Sequence, residues 1–249
     1  MKNVLSIQDG YKELESGNVI MNKLNLDIQE GDFVTILGGN GAGKSTLFNS
    51  ISGKMSLTTG HVFINETDVT RLTEEKRAEF IGRVFQDPKQ GTAPRMTVEE
   101  NLSLASLRGK KRGLTFRNIK EKKEYYYELC KKVGNGLENH LETPAGNLSG
   151  GQRQALSLLM ATLVKPQILL LDEHTAALDP KTANQIMHLT KEIVEDNQLT
   201  CLMITHRMED ALVYGNRLIV LHQGEIKYDI PKEEKEKLTL PELLSFFNE

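Results

Sequence analysis

The sequence predicts an α/β fold: a mostly parallel central sheet, an N-terminal antiparallel β subdomain and an inserted helical subdomain. Three observations carry this expectation. Short β-prone runs alternate with helical patterns over the second half of the 249-residue chain. The N-terminal β runs look hairpin-like. Between about Thr97 and Gly134 the pattern is helical.

In order, β runs fall at residues 4–7, 21–28, 33–37, 61–64 and 81–85. Thr97 and Glu100 have capping-box spacing before Leu102, Leu104, Ala105 and Leu107. A second helical stretch runs through Tyr125, Leu129 and Val133. Strand signals return at 168–171, 200–204, 217–221 and 225–228, with helices between them at 181–195 and 207–213. The apolar strands suit a parallel sheet buried on both faces. The tail after Ile230 is charged and ends in an amphipathic segment, 241–247, expected to pack back on the core; a small partner-binding helix is the other reading. Residues 1–249 then form one domain: a β/α core at 1–86 and 160–230, a helical subdomain at 87–159 and a tail at 231–249.

Bulk composition excludes several classes. The chain is long enough to bury a full core. A formal net charge of −3 argues against a general nucleic-acid binder. Cys130 and Cys201 lie far apart without C-x-x-C spacing, which fits a reducing compartment with no disulfide framework or zinc site. The start MKNVLSIQDG lacks a signal pattern, and no apolar run approaches a membrane span. The expectation is a cytoplasmic protein held at a membrane only through a partner.

Residues 38–45 read GGNGAGKS. Gly38, Gly43, Lys44 and Ser45 fit G-x-x-x-x-G-K-[ST], the P-loop pattern, so the predicted core is of the P-loop NTPase type. Gly39, Asn40, Gly41 and Ala42 fill the loop, and Thr46 opens a helical pattern behind it. Glycines allow backbone N–H groups to turn inward around phosphate oxygens. Lys44 would reach the β- and γ-phosphates of a nucleotide, and Ser45 would ligate Mg²⁺. A Gly-rich turn merely joining strand to helix is the bland alternative, and the strand–loop–helix context weighs against it.

The strand at 168–171 ends in Asp172 and Glu173. Asp172 suits the Walker B role of holding Mg²⁺, and Glu173 is placed to orient and deprotonate an attacking water. Leu148-Ser149-Gly150-Gly151-Gln152 precedes a helical run from Arg153. Ser149 reads as the N-cap of that helix. The same turn presents N–H groups and a positive dipole end to an anion, so both readings hold together.

LSGGQ resembles the signature motif of ATP-binding cassette (ABC) ATPases. The resemblance covers essentially the whole chain, in the family's motif order. Gln86 matches the Q-loop glutamine, a Mg²⁺ ligand and catalytic-site residue in the family. Asp179 of Ala177-Leu178-Asp179 matches the D-loop, and His206 the switch histidine. Tyr11 stands where the family usually has an aromatic that stacks on adenine. Each has a plainer reading: Gln86 a loop amide, Asp179 a helix N-cap before Pro180, His206 a strand-end histidine, Tyr11 a core residue.

The resemblance implies ATP and Mg²⁺ as cofactors and a homodimer formed on ATP binding, head to tail. Ser149, Gly150, Gly151, Gln152 and Asp179 of one copy would face the P-loop of the other. It also implies ATP hydrolysis driven by Lys44, Gln86, Glu173 and His206. The partner would be an integral membrane permease at the inner face of the cell membrane, together with an extracytoplasmic substrate-binding protein. Small-solute import, such as of an amino acid, is the leading reading; an exporter or lipid-extracting ATPase is the alternative, and a non-transport ABC ATPase is a further one. Nucleic acid is not an expected partner.

Some features depart from the family pattern. His174 stands where most transport ATPases of the family have proline; it is either a neutral variant or a source of pH dependence. The stretch 86–94 is polar and broken by Gly and Pro. Together with DEHTAALDP and RGKKRG it resembles a bacterial subgroup linked to tryptophan or tyrosine uptake. Arg108, Lys110, Lys111, Arg112, Arg117, Lys120, Lys122 and Lys123 form a basic run. It reads as a solvated face, with a surface near anionic lipid as the alternative.

Overall fold

A computed structural model describes residues 2–110 and 120–247. In chain order the strands are β1 (Asn3–Glu13), β2 (Val19–Gln29), β3 (Phe33–Gly38), β4 (Thr59–Ile64), β5 (Thr67–Asp68), β6 (Ile81–Val84), β7 (Ile168–Asp172), β8 (Cys201–Ile204), β9 (Arg217–His222) and β10 (Glu225–Ile230). The α-helices are α1 (Lys44–Ser52), α2 (Glu74–Arg77), α3 (Pro88–Gly91), α4 (Val98–Ala105), α5 (Lys123–Lys131), α6 (Gly150–Thr162), α7 (Pro180–Asp196), α8 (Met208–Val213), α9 (Lys232–Lys235) and α10 (Leu240–Ser245). The chain packs as two compact units. One comprises Met1–Ile81, Gln167–Glu173 and Gln198–Glu249; the other comprises Gly82–Pro166 and His174–Asn197.

The first unit holds the antiparallel sheet β2-β1-β4-β5 and the strand order β10-β9-β3-β8-β7. In the second sheet β3 runs parallel to both β8 and β9, and β7 parallel to β8; β10 returns antiparallel on β9. All six residues of β3 are buried, as a strand covered on both faces requires. Leu47, Phe48 and Ile51 of α1 share one core with Ile36, Leu170 and Ile204. Arg77 is buried and clamps the far end of α1. Its Nη1 donates to the carbonyls of Ser50 (2.6 Å) and Ile51 (2.8 Å), and its Nη2 to that of Thr70 (2.9 Å). A cation at a helix C-terminus complements the carbonyl end of the dipole.

The tail packs back as expected. Leu243 of α10 is fully buried with Leu37, Leu218, Val220 and Ile230, and burying one leucine contributes roughly 1.5–3 kcal/mol. This packing weighs against a free partner-binding helix there.

The second unit is helical. Thr97 and Glu100 cap α4 reciprocally, as their spacing predicts, and Asp179 caps α7 with Pro180 in its first turn. Val98, Leu102, Tyr126, Cys130, Leu156 and Leu159 form its core. The unit reaches beyond 87–159, starting at Gly82, running on to Pro166 and taking in all of α7. Packing is the reason, since Ile193 of α7 lies against the same core. Burial pushes the Cys130 thiol up to about 12, and Cys201 is fully buried too.

Within the basic run Arg108 departs from the solvated face, while Lys110, Lys122 and Lys123 are exposed. Arg108 is half-buried and its Nη1 donates to the Ala161 carbonyl at 2.7 Å, a packing role. Lys123 pairs with Glu142. Lys111, Arg112 and Arg117 lie outside the described residues. Among the described residues no helix is long and apolar enough to cross a membrane.

Candidate active site

The P-loop joins β3 to α1. Gly43 takes φ 100°, in the left-handed region. A Cβ there would lie 3.0 Å from the Ile20 carbonyl oxygen and 3.3 Å from the Gly224 Cα, so neither backbone nor space admits a side chain. The β9–β10 turn is fastened to the loop, because the Gly224 N–H donates to the Ala42 carbonyl at 3.0 Å. The first α1 bond runs from the Leu47 N–H to the Gly43 carbonyl (2.8 Å). The N–H groups of Lys44, Ser45 and Thr46 precede it, and helix geometry points them out of the end. Gly39, Asn40, Gly41 and Ser45 are exposed around this end, while Ala42 is buried. Such a cradle fits a phosphate group.

Lys44 is 6% exposed. Its Nζ donates to the carbonyls of Gly38 (2.6 Å) and Gly39 (3.0 Å), leaving the third N–H of the ammonium for an anion. Burial lowers its pKa, and the nearby carboxylates of Glu173 and Asp172 oppose that.

Asp172 and Glu173 come off β7, whose neighbour β8 leads to His206. Asp172 pairs in register with Ile204, and the Glu173 N–H donates to the Ile204 carbonyl at 3.1 Å. Glu173 has φ 48°, an uncommon backbone for a non-glycine residue. Its Oε1 lies 2.6 Å from His206 Nε2. The carboxylate side chain is 15% exposed and the imidazole 47%. Gly38, Asp172 and His206 thus sit at the carboxyl ends of β3, β7 and β8, where open α/β sheets bind ligands. Among the described residues no group of three or more His, Cys, Asp or Glu side chains forms a metal site. A cation here would draw on the Asp172 carboxylate, the Ser45 hydroxyl and phosphate oxygens.

Tyr11 lies on β1, half-buried, and its hydroxyl donates to Glu13 Oε2 at 3.1 Å. It belongs to none of the described core clusters.

In the second unit, Ser149, Gly150, Gly151, Gln152 and Asp179 line one groove of about 570 Å³. Ser149 Oγ accepts the Gln152 N–H and Gln152 Oε1 accepts the Ser149 N–H, each at 3.2 Å, a closed capping box on α6. A Cβ on Gly151 would approach Thr182 Cγ2 to 2.4 Å, so α7 excludes any side chain there. Asp179 Oδ1 accepts the Thr182 N–H at 3.1 Å, and hydrogen bonds from Thr182 hold its carboxyl below the usual range. Gln86 is exposed just after β6. Its loop is fastened to α6 on both sides: Gln154 Nε2 donates to the Phe85 carbonyl (3.3 Å) and Arg153 Nε to Thr92 Oγ1 (2.8 Å).

His174 corrects one expectation. It is 2% exposed, and burial pushes its pKa down to about 4. That places its charge change below the mildly acidic range and weighs against His174 as a source of pH dependence near neutrality. Sequence reasoning missed the residues that fasten the P-loop and its helix from a distance, Arg77 and Gly224. No local pattern marks them, because their partners are remote in sequence.

The family described as ABC transporter matches residues 21–176. A tyrosine transport ATP-binding protein of Clostridioides difficile (strain R20291) is 48% identical over 230 residues, covering 92% of this chain and 91% of that protein. The phosphonates import ATP-binding protein PhnC of Lactococcus lactis subsp. cremoris (strain SK11) is 34% identical over 243 residues, covering 96% and 98%. Among solved structures, the dimeric post-hydrolysis state of the ATP-binding cassette MJ0796 bound to ADP and Pi superposes with a TM-score of 0.77. Its identity is 29%, with coverage of 92% of this chain and 98% of that one.

Proposed function

Since this chain belongs to the ABC transporter family and is one of its ATP-binding cassettes, an ATPase, we propose that it energises a membrane importer by hydrolysing MgATP between two head-to-tail copies of itself. The observation that carries the chemistry is the Glu173–His206 contact of 2.6 Å, in the same unit as the P-loop.

In this reading the N–H groups of residues 39–46 and the Lys44 ammonium hold the phosphates, and Tyr11 stacks on the adenine. Ser45, Asp172 and Gln86 hold Mg²⁺, whose hard charge suits hydroxyl, carboxylate and amide oxygens. Held there, Mg²⁺ would supply neutralisation of the phosphate charge. Glu173 takes a proton from the attacking water as the new bond to the γ-phosphorus forms and the bond from that phosphorus to the β–γ bridging oxygen breaks, releasing ADP. His206, held by Glu173, orients that water and the γ-phosphate. Lys44 stabilises charge developing on the phosphoryl oxygens. Ser149, Gly150, Gly151, Gln152 and Asp179 of the second copy close the site, offering the positive end of α6 to the γ-phosphate.

Import is supported by the relatives named for tyrosine transport and phosphonate import. The first of these points to an aromatic amino acid as cargo. The partners in this reading are an integral permease, which holds the cassette at the inner face of the membrane, and an extracytoplasmic substrate-binding protein. The test is affinity purification from native membranes. Recovery of a multi-span permease with a binding protein that takes tyrosine or tryptophan is expected. Recovery of a permease without a binding protein would point to export and overturn the import reading.

A further inference from the structure

We propose that Gly224, in the β9–β10 turn, is a positioning residue for the nucleotide: it fixes the spacing between the phosphate cradle and the adenine end at Tyr11, with the Asn22–Glu225 pair as its outer lock. The inference rests on the reading of the P-loop as the phosphate site and of Tyr11 as the residue that stacks on adenine.

Both backbone groups of Gly224 are used, each on a different element. Its N–H donates to the Ala42 carbonyl in the P-loop at 3.0 Å, and its carbonyl accepts the Asn22 N–H of β2 at 3.0 Å. One residue thus ties the P-loop to the antiparallel sheet by main chain alone, and all of these residues belong to the first unit. The junction has no room for side chains. A Cβ on Gly224 would lie 2.8 Å from the Ile20 carbonyl oxygen and 2.9 Å from the Met21 Cα, and a Cβ on Gly43 would meet the same Ile20 oxygen at 3.0 Å. The turn is shaped for this approach. Gln223 has φ 47° and Gly224 φ 80°, the two positive values that a two-residue type I′ hairpin turn requires. Asn22 grips the turn a second time, because its Nδ2 donates to Glu225 Oε1. A carboxylate only accepts, so the amide nitrogen faces it.

β2 carries this grip to Tyr11. Met21 pairs with Lys12 on β1, the residue after Tyr11. On its other edge β1 meets β4, where Tyr11 pairs with Thr59 and its carbonyl accepts the Thr58 N–H at 2.8 Å. The pairing shifts register beside Tyr11 on both edges, between Gly10 and Lys12 against β2 and between Gln8 and Tyr11 against β4. Such shifts re-aim a side chain and locally disrupt the ladder. The grip of Gly224 and Asn22 on residues 20–22 gives that stretch a fixed reference to the P-loop. A ligand that touches both ends gains from a preset spacing, since its second contact then carries little ordering cost. Inorganic tripolyphosphate touches the cradle alone and gains nothing from it.

The test is calorimetric titration of the full chain with the magnesium complexes of β,γ-imido ATP and of inorganic tripolyphosphate, with thermal unfolding alongside. Asn22→Ala and Glu225→Ala each remove the lock, whereas Glu225→Gln keeps an acceptor at similar reach. The two alanine variants should bind the nucleotide roughly threefold to tenfold more weakly, with tripolyphosphate affinity unchanged. Glu225→Gln should recover most of the loss. Gly224→Ala should lose more than either; if it fails to fold, the side-chain variants carry the test. The double variant Tyr11→Ala/Asn22→Ala should bind no more weakly than Tyr11→Ala, because without the adenine contact the spacing no longer matters. Wild-type nucleotide affinity in Asn22→Ala and Glu225→Ala, equal losses for the two ligands, or losses that multiply in the double variant would overturn the inference. Unchanged nucleotide affinity in Tyr11→Ala would sink the adenine reading and the inference with it. Weak binding there, beside wild-type binding in Asn22→Ala and Glu225→Ala, sinks only the role of the turn.

Discussion

Glu173 Oε1 and His206 Nε2 lie 2.6 Å apart, although neighbouring strands β7 and β8 deliver the two residues separately. The pairing follows from parallel register. Asp172 sits opposite Ile204, so each strand releases its functional side chain at the same level of the sheet. Half-exposed His206 keeps a face toward solvent, while Glu173 is mostly enclosed. His206→Ala should accordingly bind ATP with near wild-type affinity and turn it over slowly. Nucleotide titration beside a phosphate-release assay checks the split.

Lys44 offers a second test. Its ammonium is bonded to the carbonyls of Gly38 and Gly39, which hold it beside the cradle. Charge-assisted hydrogen bonds contribute about 1.5–3 kcal/mol. Lys44→Ala should therefore weaken ATP binding by roughly tenfold or more, measured by calorimetric or fluorescence titration.

The buried imidazole of His174 makes stability depend on pH. Its folded pKa is pushed to about 4, below the ordinary 6.5. Between those values the unfolded chain takes up a proton that the folded chain refuses, so stability rises with pH. The contribution is complete above about 6.5 and is lost as pH falls toward 4, approaching about 3 kcal/mol. Urea unfolding of wild type and His174→Gln across this window should show a shallower slope for the variant.

Gly151 predicts a coupled pair. Its hypothetical Cβ meets the Thr182 methyl at 2.4 Å, and overpacking of that kind costs about 1–3 kcal/mol. Gly151→Ala should be destabilised by that order. Adding Thr182→Ser, which removes the methyl and keeps the backbone N–H that caps Asp179, should restore most of it. A double-mutant cycle in denaturant measures the interaction.

Much of the fold was legible in the sequence because period and caps report local structure. The apolar strand at 168–171, the Thr97–Glu100 box and the Asp179-Pro180 helix start all appear where their residues predict them. Short helices such as α2 and α9 went unread, being too short to show a period. The unit to which α7 belongs was not legible either, since Ile193 finds its core only by tertiary packing. The phosphate cradle could be read from one contiguous string. The Glu173–His206 contact and the His174–Thr190 bond could not, because strand order and helix docking set them. Arg108 shows the same limit: in a basic run it reads as solvated, yet it is half-buried and its Nη1 donates to the Ala161 carbonyl.

The central claim is that Glu173 is the base of a site completed by a second copy of the chain. Light scattering of purified Glu173→Gln with MgATP, with phosphate release followed in the same sample, tests it most directly. A stable dimer that binds ATP and releases almost no phosphate is the predicted result. A monomer at saturating ATP, or phosphate release at the wild-type rate, would contradict the account.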